Sequence, residues 1–585
     1  MSTSLADRTE TSSSSEPPRS ALGTVVAVLR ERALVTTVLV ILSGLIVAPV
    51  AAIFYGAVRT GAPGMADQGF TLTAVREVYT TGPYLATLGW TLLMAVGVAA
   101  ISTTFGACAA WLLTRTDLRW KNLFELSVIA PLFLSPFVGA LAWVALAAPN
   151  SGMVNVNLRW LLDTDATFVN IMTFTGVVFV LNLYYIPYGY LFVSSALKNM
   201  DPSLEEASYL NGRGVIATVR HVTFPIIRPA LLAAFFFIAV LATGIFSVPG
   251  VLGLNATFNV LAVEVYRSMS IWPTNHARGA AIGTLLLWFT VLGVYFYRRA
   301  IRHASRYVTI SARGTRPRVV RLGWVRYLIS AVFLGYLLFA TLLPYVALGI
   351  ASLNPFTITD FRQMQFSFNN FLEVASSGRI VDATINTLVL GVVTPTATVL
   401  LGLAAAYCVV RMSGRTGAVV DYLATVPIAI PGIVFATGML WVYVRTPLYA
   451  TLTLLVIAFM GTYIPHAARF AGNSLMQIDP ALEESSRVTG ASRMRTLRRI
   501  TLPLSKPSLL SAWVLVFVFV VREINTAILL YAPDTQILSV VAWGYIQDGT
   551  VRNAAVVGLL QTLVLIGGVL IARFLFRVKL SSTQV

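Results

Sequence analysis

Charge is scarce in this chain. Of its 585 residues only 11% are Asp, Glu, Lys or Arg, while 57% are hydrophobic; a soluble multidomain protein carries about a quarter charged residues. The shortage excludes a soluble chain of this length, and the apolar runs reach the ~20 residues that a helix needs to cross a bilayer. Cysteine is scarcer still. Cys108 and Cys408 both lie in hydrophobic runs, too few for a disulfide framework or a cysteine metal site, and both read as buried structural thiols. Four scattered histidines form no metal-ligand cluster, so no fixed metal site is expected. Lysine occurs four times, as Lys121, Lys198, Lys506 and Lys579, and none follows a glycine. The chain therefore has no phosphate-binding loop, and a cofactor of its own is not expected. A formal charge of +18 would suggest nucleic acid in a soluble protein; here its placement gives it another meaning, and no nucleic-acid partner is expected. Residues 1–30 are rich in Ser, Thr, Glu and Arg without an early apolar core, and read as a disordered tail rather than a cleaved signal.

What is present is a succession of twelve apolar spans: 33–57, 86–113, 124–148, 169–197, 229–252 and 279–299, then 326–352, 384–410, 421–444, 450–472, 508–531 and 554–576. Backbone groups in lipid must be satisfied within the segment, so runs of this length are helices rather than barrel strands. Arginine orients them. The connector holds Arg298, Arg299, Arg302, Arg306, Arg313, Arg316, Arg318, Arg321 and Arg326, with no acidic residue among them. Arg115, Arg119 and Lys121 follow span 2, Arg411 and Arg415 follow span 8, and Arg573, Arg577 and Lys579 close the chain. By the positive-inside rule these segments and both termini are cytosolic. The alternate loops, 58–85, 149–168, 253–278, 353–383 and 532–553, hold few basic residues.

The chain also repeats itself. Residues 200–231 align without a gap with residues 478–509 at an offset of 278: Asp201-Pro202 with Asp479-Pro480, Glu205-Glu206 with Glu483-Glu484, Gly212 with Gly490, Pro225 and Pro229 with Pro503 and Pro507. Tyr185-Ile186-Pro187 matches Tyr463-Ile464-Pro465, Trp90-Thr91-Leu92 aligns with Asn386-Thr387-Leu388 and Arg115 with Arg411, and spans 3 and 9 carry Pro131/Pro136 and Pro427/Pro431. Six helices per half give both halves the same polarity, so the repeat is parallel, about an axis along the membrane normal. The organisation expected is a tail (1–30), a first six-helix repeat (31–300, loop 200–229), a basic linker (301–325), a second repeat (326–579, loop 478–507) and a short tail (580–585).

The repeated loop has a local design. Asp201 or Ser203 can cap a short helix, Pro202 fits its first turn, and Glu205 and Glu206 sit near its positive end. The helix runs to about Asn211, and Gly212 permits a sharp turn. A second short helix places Val219, Val222 and Phe224 on an apolar stripe with Arg220 and His221 exposed; Pro225 ends it, and Pro229 marks re-entry into the membrane. Asp479, Glu483, Glu484, Gly490, Leu497, Ile500 and Pro503 repeat the design. Ala207-Ser208 and Ser485-Ser486 are small enough for close backbone approach. So many matched positions favour a docking surface over a plain connector.

Glu206-Ala207-Ser208-x-x-x-Gly212 and Glu484-Ser485-Ser486-x-x-x-Gly490, each followed by thirteen residues to a proline, resemble the EAA loop of type I ABC importer permeases. The resemblance covers essentially residues 30–580. The sequence departs from Glu-Ala-Ala at the third position of the first copy and at the second and third of the second, always small for small. The resemblance implies an all-α polytopic membrane fold of twelve transmembrane helices in the bacterial inner membrane. It also implies that each loop is a coupling helix seated on one of two cytosolic ATPase subunits, which would hold the ATP and magnesium. The permease itself would be no enzyme, and an extracytoplasmic solute-binding protein would dock on the outer loops. Ser-Val-Pro-Gly-Val-Leu-Gly after span 5, Arg-Glu-x-x-x-Thr-Ala-x-Leu-Leu in span 11 and the fused form resemble ferric-iron permeases, whose relatives carry thiamine, phosphonates or polyamines.

Ionisable residues within hydrophobic runs are candidates for the pathway. Arg522 and Glu523 lie sixteen residues beyond Lys506, ~24 Å up a helix and in the outer half of the membrane; the bland reading is a salt bridge that orients helices, and consecutive helical residues point ~100° apart. Asn182, Tyr185, Ser247 and Asn525 lie at comparable depth, although most such residues, His466 included, serve packing. A secondary transporter driven by an ion gradient also suits parallel six-helix repeats, but few ionisable groups lie within the spans to carry protons.

Overall fold

The computed structural model describes residues 33–576 except 66–68, 254–257, 305–318, 356–359, 363 and 413. The two tails and most of the basic linker, with Arg306, Arg313, Arg316 and Arg318, lie outside the described residues. Those described form helices and, in place of strands, two isolated bridges. Ten helices are long and apolar enough to cross a membrane, and two bent pairs bring the number to twelve.

The bends fall where the proline pairs stand. Span 3 turns by 98° between Lys121–Phe133 and Pro136–Ala147, and span 9 by 113° between Arg415–Ala429 and Gly432–Tyr443. Each bend opens on a 3₁₀ turn, Ala130–Phe133 or Val426–Ala429, with proline in its first turn; proline withholds an N–H and crowds the preceding turn, so the α-helical ladder cannot continue.

Elsewhere proline is absorbed. π-Helical turns at Ser43–Val47, Val219–Thr223, Leu338–Leu342 and Leu497–Thr501 are each followed two residues later by Pro49, Pro225, Pro344 or Pro503. The wider turn changes the hydrogen-bonding register ahead of the ring, and the helix runs on. Span 5 is consequently one helix from Val215 to Thr243, and span 11 one from Met494 to Val521. This corrects the expectation that Pro225 and Pro503 end a separate short helix. The helices break inside the apolar runs expected to continue to 252 and 531, after Thr243 and Val521, and the helices Ser247–Leu252 and Ala527–Leu530 follow.

The halves use the same parts. Span 2 (Gly82–Arg115) and span 8 (Gly378–Arg411) both have 34 residues, and an eight-residue helix precedes each, Thr73–Thr80 and Asn369–Ser376. Spans 2 and 4 touch through backbone, since a Cβ on Gly106 would stand 2.4 Å from Tyr190 N; at the equivalent place one on Gly402 would stand 2.7 Å from Ala467 Cβ. Thr91 accepts from Leu261 N at 2.9 Å and Thr387 from Leu538 N at 3.0 Å, each satisfying an orphan N–H at the start of a short helix, Leu261–Ser270 or Leu538–Gln547. Cys408 is buried as expected, but Cys108 is exposed. It stands two residues past Gly106, on the far side of the helix from the contact with span 4.

The loops at 200–214 and 478–492 lie on one face. Arg115, ending span 2, bonds to Glu205 just past span 4, so spans 2 and 4 end together and span 3 crosses between them despite its bend. Val320, ahead of span 7, pairs with Thr116 after span 2, which brings the described end of the connector to that face. Span 7 leads away from it, span 8 returns, and Arg411 at its end reaches Glu483. The pseudo-twofold axis passes through the breaks of spans 5 and 11. There Asn525 Oδ1 accepts from the N–H groups of Phe246 and Ser247, both at 3.1 Å, so a residue and its counterpart 278 positions away are in contact.

Candidate functional site

Two places stand out, one repeated and one not. The repeated one is the loop. Asp201 Oδ1 accepts from Ser203 N and Asp479 Oδ1 from Ala481 N, both at 2.9 Å, and these caps start the helices Ser203–Leu210 and Pro480–Val488. Glu205 turns inward, where Arg115 Nε donates to it at 2.8 Å and Thr223 Oγ1 at 2.6 Å, while Arg115 Nη2 donates to Leu197 O. Glu483 receives Arg411 Nε at 3.3 Å and Thr501 Oγ1 at 2.9 Å, and Arg411 Nη2 donates to Leu475 O and Ile478 O. The side chains of both ion pairs are nearly buried. Ser208 and Thr218 share a hydrogen bond at 2.9 Å, as Ser486 and Thr496 do at 3.0 Å.

With these groups holding the loop from within, its outer side is free. Gly212 and Gly490 turn at φ +77° and +84° with open space around them, a conformation that an L side chain adopts only at a cost. Glu206 is half-buried, and Ala207, Glu484 and Ser485 are exposed. Apolar side chains stand out in both copies: Leu204, Leu210 (87% exposed) and Ile216 (84%), against Leu482, Val488 (81%) and Met494 (69%). All three pairs obey the offset of 278. The inward face of the second segment belongs to Thr218 and Thr223; Val219 and Val222 are only half-buried and Phe224 is exposed, so the apolar stripe expected there is not the packing face.

The unrepeated place is a cavity of about 220 Å³ at the axis, between the breaks of spans 5 and 11 and the bends of spans 3 and 9. Tyr185, Ser247, Arg522, Glu523 and Asn525 all line it, and so does His466, whose ring packs against Phe519 with centroids 5.0 Å apart. Asn182 does not. Its Oδ1 accepts from Ser102 Oγ at 2.7 Å and its Nδ2 donates to Val178 O, a buried tie between spans 2 and 4.

Arg522 and Glu523 are not consecutive residues of a helix, because the helix ends at Val521. Freed from helical geometry, they point to different partners rather than to one another. Arg522 Nη1 donates to Leu132 O at 2.6 Å and Leu134 O at 3.1 Å, carbonyls left over at the bend of span 3, and its guanidinium lies over Phe519. Glu523 accepts from Tyr463 OH and, at 2.8 Å, from Thr526 N, and its own carbonyl accepts from Ser539 Oγ at 2.6 Å.

Residues 398–579 match the family described as "Binding-protein-dependent transport system inner membrane component". The chain is similar to permeases of that class over its second half. It is 28% identical to a ferric transport system permease protein of Actinobacillus pleuropneumoniae over 90% of this chain and 75% of that one. With a putative ferric transport system permease protein of Haemophilus influenzae the identity is again 28%, over 80% of this chain and 74% of the relative. A solved bacterial ABC transporter involved in alginate import aligns with 43% of this chain and 95% of its own, at 21% identity and a TM-score of 0.36.

The sequence points to the loops but not to what anchors them. Arg115 and Arg411 stand out as a matched pair and as charges marking a membrane face, without their carboxylate partners, and Thr223 and Thr501 do not stand out at all. Their signal was the repeat itself: Thr223 and Thr501 also stand 278 apart. Tyr463 was visible as a repeated tyrosine, without its carboxylate partner.

Proposed function

We propose that the permease forms the membrane pathway of an ATP-driven importer for ferric iron. The observation that carries the transport mechanism is the pair of matched loops on one face, each anchored by a buried ion pair and each presenting the same apolar trio. Two copies fit two identical partners. The described end of the arginine-rich connector, at Val320, lies on that face, so we take that face as cytosolic, with both termini inside. The partners are then ATPase subunits carrying ATP and magnesium, docked at Leu204–Gly212 and Leu482–Gly490, and a solute-binding protein docks on the opposite face. Glu205 and Glu483 hold the loops in place, which leaves Glu206 and Glu484 to meet the partner. Support for iron comes from the similarity to ferric transport permeases over most of the chain.

The test is uptake of labelled Fe(III) by vesicles containing the permease, its ATPases and the binding protein, alongside a polyamine, thiamine and a phosphonate. Uptake should require ATP and be specific for iron. Replacing Glu206 and Glu484 by Lys, or Gly212 and Gly490 by Leu, should abolish it while the chain still inserts. Uptake that continues without ATP and collapses with the proton or sodium gradient would identify a secondary transporter instead.

A further inference from the structure

The cavity at the axis is chemically one-sided. Among the described residues that line it, the imidazole, the guanidinium and the carboxylate all come from the second half: His466, Arg522 and Glu523. The first half contributes the phenols of Tyr184, Tyr185 and Tyr188, the hydroxyls of Ser247 and Thr290, and apolar side chains. Glu523 is the one carboxylate in that lining, 7% exposed, and Tyr463 is hydrogen-bonded to it. A carboxylate this deep in a membrane is costly to retain and points to function.

We propose that Glu523 and Tyr463 are a transient binding site for the ferric cargo as it passes the axis; the proposal rests on the ferric reading above. Carboxylate and phenolate are hard oxygen donors, and a trivalent cation is the hard partner that matches them. At the ~30 Å³ that a water occupies in the liquid, the cavity holds on the order of seven waters, enough for one ion with its inner shell. Drug-sized ligands occupy pockets of roughly 300–1,000 Å³. On binding, two inner-shell waters leave the ion as Tyr463 O and a Glu523 carboxylate oxygen take their places, and the Tyr463 proton passes to cavity water. Glu523 exchanges the phenol proton for the metal, and iron stays ferric throughout. Arg522, tethered to Leu132 O and Leu134 O and lying over Phe519, puts a positive charge beside the site. That charge favours an ion accompanied by an anionic ligand over a bare cation.

A purely structural role, tying span 10 to the break of span 11, also accounts for the hydrogen bond, and the experiment has to separate the two. The purified complex with its ATPases, in lipid nanodiscs, is titrated with Fe(III) citrate and followed by visible absorption. Wild type should develop a phenolate-to-iron charge-transfer band. Tyr463→Phe should abolish it, and Glu523→Gln should raise the half-saturating iron concentration tenfold or more. If Tyr463→Phe fails to insert, the Glu523→Gln titration decides. A wild type without the band, a band that survives Tyr463→Phe, or an unchanged titration in Glu523→Gln overturns the site, while ATP-dependent iron uptake in the same preparation leaves the ferric reading intact. Specific uptake of another solute removes the ferric reading and this site with it.

Discussion

Glu205 and Glu483 are each held by an arginine from the end of the span two before, which also donates to nearby carbonyls, and by a threonine from the helix that follows. Thirty-nine positions further along each half the agreement ends. Gly244 corresponds to Arg522 and Ile245 to Glu523. In the first half the missing side chain lets span 9 close in, since a Cβ on Gly244 would stand 2.5 Å from Pro431 Cβ; in the second half a long side chain reaches across to the bend of span 3. The same backbone break is thus braced by contact on one side and by hydrogen bonds on the other. Matching is maintained where two identical partners would have to dock, and abandoned where a single cavity has to be lined.

The largest effects should come from breaking the matched ion pairs. Arg115→Leu strands Glu205 in a buried site, at a cost of about 3–5 kcal/mol. Arg411→Leu should cost less, because its contact is longer and its side chain somewhat more exposed (12% against 5%). Thermal unfolding in micelles, followed by tryptophan fluorescence, measures both; equal losses would mean that the two anchors do not differ in strength.

Next come the unmatched braces. Gly244→Ala should overpack the contact with Pro431, and Arg522→Met should leave two carbonyls at the bend of span 3 without donors, each at about 1–3 kcal/mol. Combined, the two changes should add without coupling if they brace different bends, as a double-mutant cycle would show. Smaller again, Thr91→Val and Thr387→Val should each cost about 1 kcal/mol by removing the acceptor of a helix-start N–H, and by the same amount in both halves. Least for stability, Leu210→Asp with Val488→Asp should stay within about 0.5 kcal/mol, as changes on an open surface do, yet ATP-dependent iron uptake should be lost. Retained uptake would remove the apolar trio from the docking surface.

The spans could be read because length and apolarity alone impose them in lipid, and the loops because the repeat marks them independently of any structure. Arg115 and Arg411 were visible as a matched pair, but charge near a membrane face already had an explanation in topology. Their burial against Glu205 and Glu483 depends on how spans 2 and 4 pack, which no local pattern encodes. The π turns escaped for a related reason. Proline within a polar stretch reads as a stop, and only a non-local change of hydrogen-bonding register shows that Pro225 and Pro503 are carried through. Arg522 and Glu523 were found by their charge, while helical geometry was applied to residues that in fact lie past the end of the helix.

Thr223 and Thr501 are the last residues of their π turns, and each also donates to the inward-facing glutamate of the short helix. The short helix is therefore geared to the span that follows it, through a turn whose register sets where the hydroxyl points. Deleting one residue within Val219–Thr223 would rotate everything upstream by about 100° relative to the span and disengage hydroxyl from carboxylate. A displacement of the short helix that kept its charges paired would have to carry spans 2 and 5 with it, and span 5 ends at the axial cavity, so the buried glutamate is the joint through which the loop is tied to the axis.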